Sequence, residues 1–262
     1  VALGEIGERE SYFEITVASE VMAILALARS YRDLRERLGR IIVAQTREGR
    51  PVTAEDLKAA GAMALLIRDA IKPNLLQTIE NTPAFIHAGP FGNIAHGNSS
   101  VLADQMAARL GEYVVTEAGF GADLGFEKLC DIKVPVSGIA PSVAVIVTTV
   151  RALKVHSGKW KVAPGKPLPR GILDEDVESV EKGGANLARM ISIVRKTGCP
   201  AVVALNRFPS DTEREIEAIR TLALAAGADG IEISEVFVRG GAGAETLARK
   251  VDELARRPMT FK

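Results

Sequence analysis

The sequence predicts an α/β protein: a mostly parallel sheet with helices on both faces. Segments rich in β-branched residues alternate with amphipathic helical ones through the second half, which is the pattern of strands joined by helical crossovers. "EYVVTEA" (112–118) and "VAVIVTTV" (143–150) read as near-continuous apolar runs, as strands covered on both faces do. A chain of 262 residues is also long enough for a sizeable core in one large domain or two modest ones.

Each element follows from local pattern. "ITVASEVMAILALARS" (15–30) keeps helical spacing despite its β-branched start, and "RIIVAQT" (40–46) is a short buried-strand run. Thr53 and Asp56 form a capping-box pattern that opens a helix, with Leu57, Ala60, Ala64, Ile67 and Ile71 on its apolar face. "NLLQTIE" and "PAFIHA" are strands or near-strands, and a helix runs through "VLADQMAARLG". "SGKWKVAPGKPLPRG" (157–171) is the best linker, and divides the chain into domains at 1–160 and 161–262. Beyond it come a helix over about 174–197, strand "PAVVALN", helix "DTEREIEAIRTLALAAG", strand "GIEISEVF" and helix "AETLARKVDELARR".

Composition excludes several classes. With 33 basic and 33 acidic residues the net charge is zero, so neither nucleic acid nor an anionic membrane is an expected partner. Cys130 and Cys199 stand apart without a CxxC pair, against a disulfide framework or a cysteine metal site. The acidic start has no secretory pattern, and the apolar stretches are too short to span a bilayer. A cytoplasmic protein is expected.

In parallel sheets ligands sit beyond the carboxyl ends of the strands, so those loops are where chemistry is sought. "HAGPFGNIAHGNSS" (87–100) runs from a strand end to a helix start. Asn98, Ser99 or Ser100 is able to cap that helix, Gly89, Gly92 and Gly97 admit a ligand to the backbone, and His96 is a candidate to donate or accept a proton near neutral pH. The bland alternative is a well-capped turn with a hydrogen-bonded His. "VVTEAGFGADLGFEK" resembles a dinucleotide fingerprint, but Asp123 would repel a pyrophosphate. Glu117 and Asp123 instead suit a metal, a cationic substrate group or a cap. In "NRFPSDTE", Ser210 or Asp211 caps the next helix, while Phe208-Pro209 offers a flat apolar surface. Phe237 has the same place one strand later, and two such aromatics suit a flat heterocycle. Lys72 sits in an apolar context and suits a carboxylate or phosphate, although a snorkelling surface lysine is commoner. A P-loop motif is absent from the sequence.

Taken together, "ITVASEVMAIL", "DAIKPNLLQTIENTPAFIHAGPFGNIAHGNSS", "VVTEAGFGADLGFEK", "TTVRALKVHSG", "VEKGGANL" and "PAVVALNRFPSDTE" resemble the formate–tetrahydrofolate ligase family, in the family's order. The resemblance implies a P-loop-NTPase-like large-domain remnant over 1–160, and a smaller α/β domain over 161–262 supplying the folate side. It also implies ATP-dependent ligation of formate to tetrahydrofolate through formyl phosphate, with Mg²⁺ accompanying ATP, and a homo-oligomer. Phe91, Asn93 and His96 would lie at the formyl phosphate pocket, with His96 or Asn93 polarising it. Phe208, Pro209 and Phe237 would flank the pterin. There are departures. The family's phosphate-binding loop lies upstream of Val1, its usual Trp is Phe237 here, and "RALK" is followed by Ser157-Gly158 rather than two glycines. A fragment, or a split form whose partner brings the P-loop, is therefore expected. The competing readings are a folate-binding or assembly module without turnover and, more weakly, a nicotinamide-dependent oxidoreductase.

Overall fold

The computed structural model describes residues 18–89, 96–258 and 261–262. The expected helix start at 15–17, and the candidates Phe91, Gly92 and Asn93, lie outside the described residues. The chain divides into two compact units. Unit 1 comprises Val1–Phe120 with Leu124–Ile139, and unit 2 comprises Gly121–Asp123 with Ala140–Lys262. The linker candidate 157–171 thus lies inside unit 2.

Unit 1 is organised around short helices. Ser19 accepts from the Met22 amide to start α1 (Glu20–Leu27), and Ser30 accepts from Asp33 to start α2 (Tyr31–Gly39). Two antiparallel hairpins follow, β1 (Ile42–Gln45) with β2 (Pro51–Thr53) and β3 (Asn74–Gln77) with β4 (Pro83–Ile86). Between them lies α3 (Ala60–Leu66), and after them α4 (Val101–Leu110) and α5 (Val134–Ser137). The core is helical: Ala28, Leu34, Leu38, Ala64 and Ile71 are buried, with Ile24, Met63, Ile67 and Leu102 packed on them. Burying each of the larger side chains contributes about 1.5–3 kcal/mol.

Three expectations for this unit change. The strand at 42–45 is exposed along its whole length rather than buried. Thr53 and Asp56 do exchange the reciprocal hydrogen bonds of a capping box, at 2.8 Å and 3.2 Å. They close a turn rather than a helix, because Lys58 takes a left-handed φ of 56° and α3 begins only at Ala60. Leu57 is exposed as a result. Residues 112–118 form no strand, and Tyr113, Val114 and Val115 are exposed. β-branched composition without a pairing partner does not make a strand.

Unit 2 is a parallel α/β layer. Its strands β5 (Ala144–Thr148), β6 (Ala201–Asn206) and β7 (Gly230–Ser234) pair in the order β5-β6-β7. Ala144 stands opposite Ala201, and Val202 opposite Gly230. The helices are α6 (Val150–His156), α7 (Val177–Lys196), α8 (Glu213–Ala225), α9 (Val236–Arg239) and α10 (Glu245–Ala255). Central β6 is buried from Ala201 to Leu205. β5 is an edge strand whose Val145 and Val147 face out, so the expectation that it is covered on both faces fails.

Two features tighten this unit. A Cβ on Gly183 would fall 1.8 Å from the Leu153 carbonyl oxygen, so α6 and α7 meet backbone to backbone. Lys154 on α6 is buried, ion-paired with the buried Glu215 on α8, and donates to the carbonyls of Ile172 and Asp174 at 3.1 and 2.7 Å. Glu215 in turn accepts from the Thr212 and Asp176 amides. It completes a capping box with Thr212, so Thr212, not Ser210 or Asp211, caps α8. Trp160 lies against Gly171, where a Cβ would approach its ring to 2.6 Å.

Candidate functional site

In unit 1 the loop entering α4 is held by buried polar groups. His87 Nε2–H donates to the Ala70 carbonyl at 2.6 Å, which leaves Nδ1 to accept from the Ser100 hydroxyl at 2.6 Å. Ser100 Oγ also accepts from the Ala103 amide and is the helix cap. Asn98 Oδ1 accepts from Lys133 Nζ at 2.7 Å, and Asn98 Nδ2 donates to Thr116 Oγ1 at 3.1 Å. Lys133, fully buried, is also ion-paired with Asp104 of α4. Burial pushes the Asp104 carboxyl up and the Lys133 ammonium down, and each partner opposes the other's shift.

His96 is the unsatisfied member of this loop. It is 1% exposed, and neither ring nitrogen has a hydrogen-bond partner among the described residues. Burial, aided by the charges of Lys133 and Lys128, lowers its pKa to about 4. The imidazole is therefore neutral at physiological pH, suited to polarising a ligand through a ring N–H rather than to delivering a proton.

The glycines serve packing more than ligand access. Gly97 has φ 104°, and a Cβ there would fall 2.2 Å from the Gly125 carbonyl oxygen. The Gly119 amide donates to the Gly97 carbonyl at 2.8 Å, and a Cβ on Gly125 would fall 1.8 Å from the Gly119 carbonyl oxygen. These contacts lock residues 97–98 onto two successive π-turns, 122–126 and 129–133. Such widened turns frequently mark functional sites. The glycine-rich turn at 119–125 thus follows an irregular segment and enters a π-turn. A dinucleotide fingerprint needs a strand before it and a regular helix after it, so the nicotinamide reading loses its structural context. Phe120, which sequence reasoning passed over, is exposed with φ 67°, and the only signal for it was an aromatic between two glycines.

The remaining unit 1 candidates are surface groups. Glu117 is exposed, and Lys72 is an exposed lysine paired with Asp69 at 2.8 Å. Asp123, also exposed, belongs to unit 2 and turns back over Gly121, where a Cβ would meet its Oδ1 at 2.4 Å. Among the described residues, no group of three or more His, Cys, Asp and Glu side chains is placed to hold a metal ion. No described helix is long and apolar enough to cross a membrane.

In unit 2 the carboxyl ends of adjacent strands present two aromatics. Phe208 follows β6 with its Pro209 and remains 36% exposed, while Phe237 on α9 after β7 is fully exposed. Asp211 closes the Phe208 loop, accepting from the Phe208 amide at 2.8 Å while its own amide donates to the Phe208 carbonyl at 3.0 Å. Burial raises the Asp211 pKa against this hydrogen bond and the nearby Arg151 charge. Arg151, two residues after the Thr149 cap of α6, stacks over the Phe208 ring. Sequence reasoning missed it because the partners are 57 positions apart in the numbering. Beside β7 a cavity of about 570 Å³ is lined by Arg207, Arg220, Arg239 and Arg249. Each of these is already paired, with Glu213, Glu217, Glu235 and Glu245 respectively.

Residues 4–262 match the family described as formate–tetrahydrofolate ligase. Proteins of that name are similar to the chain in Roseiflexus castenholzii (56% identity over 253 residues, 97% of this chain and 45% of that protein), Chloroflexus aurantiacus (54% over 256 residues, 95% and 45%) and Saccharopolyspora erythraea (55% over 254 residues, 97% and 45%). The chain thus spans less than half the length of these curated relatives. With a match over nearly its whole length, the chain belongs to the formate–tetrahydrofolate ligase family.

Proposed function

We propose that the chain supplies the folate side of an ATP-dependent ligase that joins formate to tetrahydrofolate. The γ-phosphoryl group of ATP is first transferred to a formate oxygen, giving formyl phosphate and ADP. N10 of the folate then attacks the formyl carbon, and phosphate leaves, giving 10-formyltetrahydrofolate. The observation that carries this reading is the pair of exposed aromatics, Phe208 and Phe237, after adjacent parallel strands in a member of this family. Phe208, Pro209 and Phe237 border the pterin. His96, neutral and unsatisfied, polarises the acyl phosphate, and Phe91, Gly92 and Asn93 of the same stretch of sequence share in binding it. Lys72, Glu117, Asp123 and Gly97 keep lesser parts, the first three through charge at the surface and Gly97 by shaping the loop. Mg²⁺ accompanies ATP as its counter-ion. The assembled enzyme works as a homo-oligomer in the cytoplasm.

A second reading is a folate-binding module without turnover, and the sequence favours it in one respect, since it contains no P-loop pattern to cradle ATP phosphates. One experiment separates the two. Purified chain is titrated with tetrahydrofolate, then assayed with ATP, formate and tetrahydrofolate for 10-formyltetrahydrofolate. Binding with turnover supports the ligase, and binding without turnover supports the module. No binding, or equal binding by Phe208→Ala and Phe237→Ala variants, overturns the folate-side assignment.

A further inference from the structure

We infer that Arg151 is a positioning residue for Phe208 and sets the electronic preference of the ring site for electron-rich heterocycles. The assignment rests on the reading of Phe208 as a wall of the folate site. The Arg151 guanidinium carbon lies 4.0 Å from the Phe208 ring centroid, the distance of a stacked cation–π pair. Its Nη2 donates to Ser210 Oγ at 3.2 Å, and Ser210 is two residues beyond the ring it stacks on. The guanidinium therefore bridges the first turn of α6 to the loop after β6 at two points. That loop is clasped a third time by Asp211. Arg151 Nε is buried without a hydrogen-bond partner among the described residues. A buried N–H left unsatisfied costs stability, so the arginine is placed for its stack and its Ser210 bond, not for a saturated hydrogen-bond set.

The consequence is electronic as well as steric. A cation on one face of an aromatic ring draws π-density toward itself, which leaves the other face poorer in electrons. A ligand ring stacking there gains most when it is electron-rich. The tetrahydropterin ring carries donating amines at its reduced positions and is such a ligand, whereas the fully oxidised pterin of folic acid is electron-poor. Phe208 alone offers the same area to both. Phe208 backed by Arg151 discriminates between them.

The 262-residue chain is titrated calorimetrically with tetrahydrofolate and with folic acid, as wild type and as Arg151→Gln, Arg151→Lys and Ser210→Ala variants. Arg151→Gln is expected to weaken tetrahydrofolate binding about 3- to 10-fold while changing folic acid binding much less. Arg151→Lys, which keeps the charge, retains most of the wild-type ratio between the two ligands. Ser210→Ala, which loosens the anchor without touching the stack, shifts the ratio in the same direction by a smaller factor and guards against a folding defect in the arginine variants. Equal loss of both ligands in Arg151→Gln would make the role merely structural, and no loss would remove it; either overturns the inference while leaving the folate site standing. If wild type binds neither ligand, the folate-side reading fails, and the role of Arg151 falls with it.

Discussion

Unit 2 buries its central strand, and unit 1 leaves two of its strands in the open. β6 is covered residue by residue from Ala201 to Leu205, whereas β1 and β3 are exposed at every position. β6 is the more apolar, "AVVALN" against "IVAQ" and "NLLQ", but composition is not the whole of the contrast. The rest lies in what packs on them. A parallel strand cannot form without a crossover helix, so its cover arrives with the connection, as α7 and α8 arrive with β6 and β7. A hairpin needs only a tight turn, and β1-β2 and β3-β4 pair without any such cover. Composition and cover together decide which apolar strand is core, since β5, parallel like β6, still exposes Val145 and Val147.

The two units also each bury a lysine, and this is where the comparison breaks hardest. Replacing Lys154 with Met leaves Glu215 buried and unpaired, and is expected to cost about 3–5 kcal/mol of unit 2 stability in denaturant unfolding. Adding Glu215→Leu to that variant should recover most of the loss, since removal of both charges restores an apolar contact. A Lys154→Met chain as stable as wild type would show that the pair carries no net interaction.

The next effect belongs to unit 1 and depends on pH. The folded His96 pKa of about 4 lies below its ordinary 6.5, so the unfolded chain binds the proton first. The resulting stability is fully present above pH 6.5 and is lost as pH falls toward 4. Over that window it amounts to about 3 kcal/mol. His96→Asn should flatten this part of the stability–pH curve; a curve unchanged by the substitution would mean the imidazole is not held neutral.

Strand burial itself is tested by one substitution made twice. Val203→Thr in β6 buries a hydroxyl and should cost about 1–3 kcal/mol. Val43→Thr in exposed β1 should stay within about 0.5 kcal/mol. Equal effects would erase the contrast between the units. Smallest of all, Gly61→Ala inside α3, where a Cβ meets nothing within 4 Å, should stabilise by about 0.5–1 kcal/mol, measured as a raised melting temperature.

Sequence pattern revealed the second half of the fold almost completely, because strands 144–148, 201–206 and 230–234 and the helices between them repeat one period switch each. It misled wherever a single backbone angle or a missing partner decided the outcome, as at Lys58 and over 112–118. The candidate site was read from the sequence as a set of strand-end loops, and the exposed Phe208 and Phe237 follow β6 and β7. What could not be read were pairings across the numbering: Lys133 with Asp104 and Asn98, and Arg151 with Phe208. Lys133 reads as an ordinary surface charge in "CDIKVP", and only the folded chain shows it buried.

The seat of Trp160 against Gly171 gives the molecule a built-in optical division. It is the chain's one tryptophan and belongs to unit 2, while Tyr31 and Tyr113 fall in unit 1. Indole emission, excited at the red edge where tyrosine does not absorb, therefore reports on unit 2 alone. One colour of light is enough to watch the parallel sheet and its surroundings melt, with no label attached.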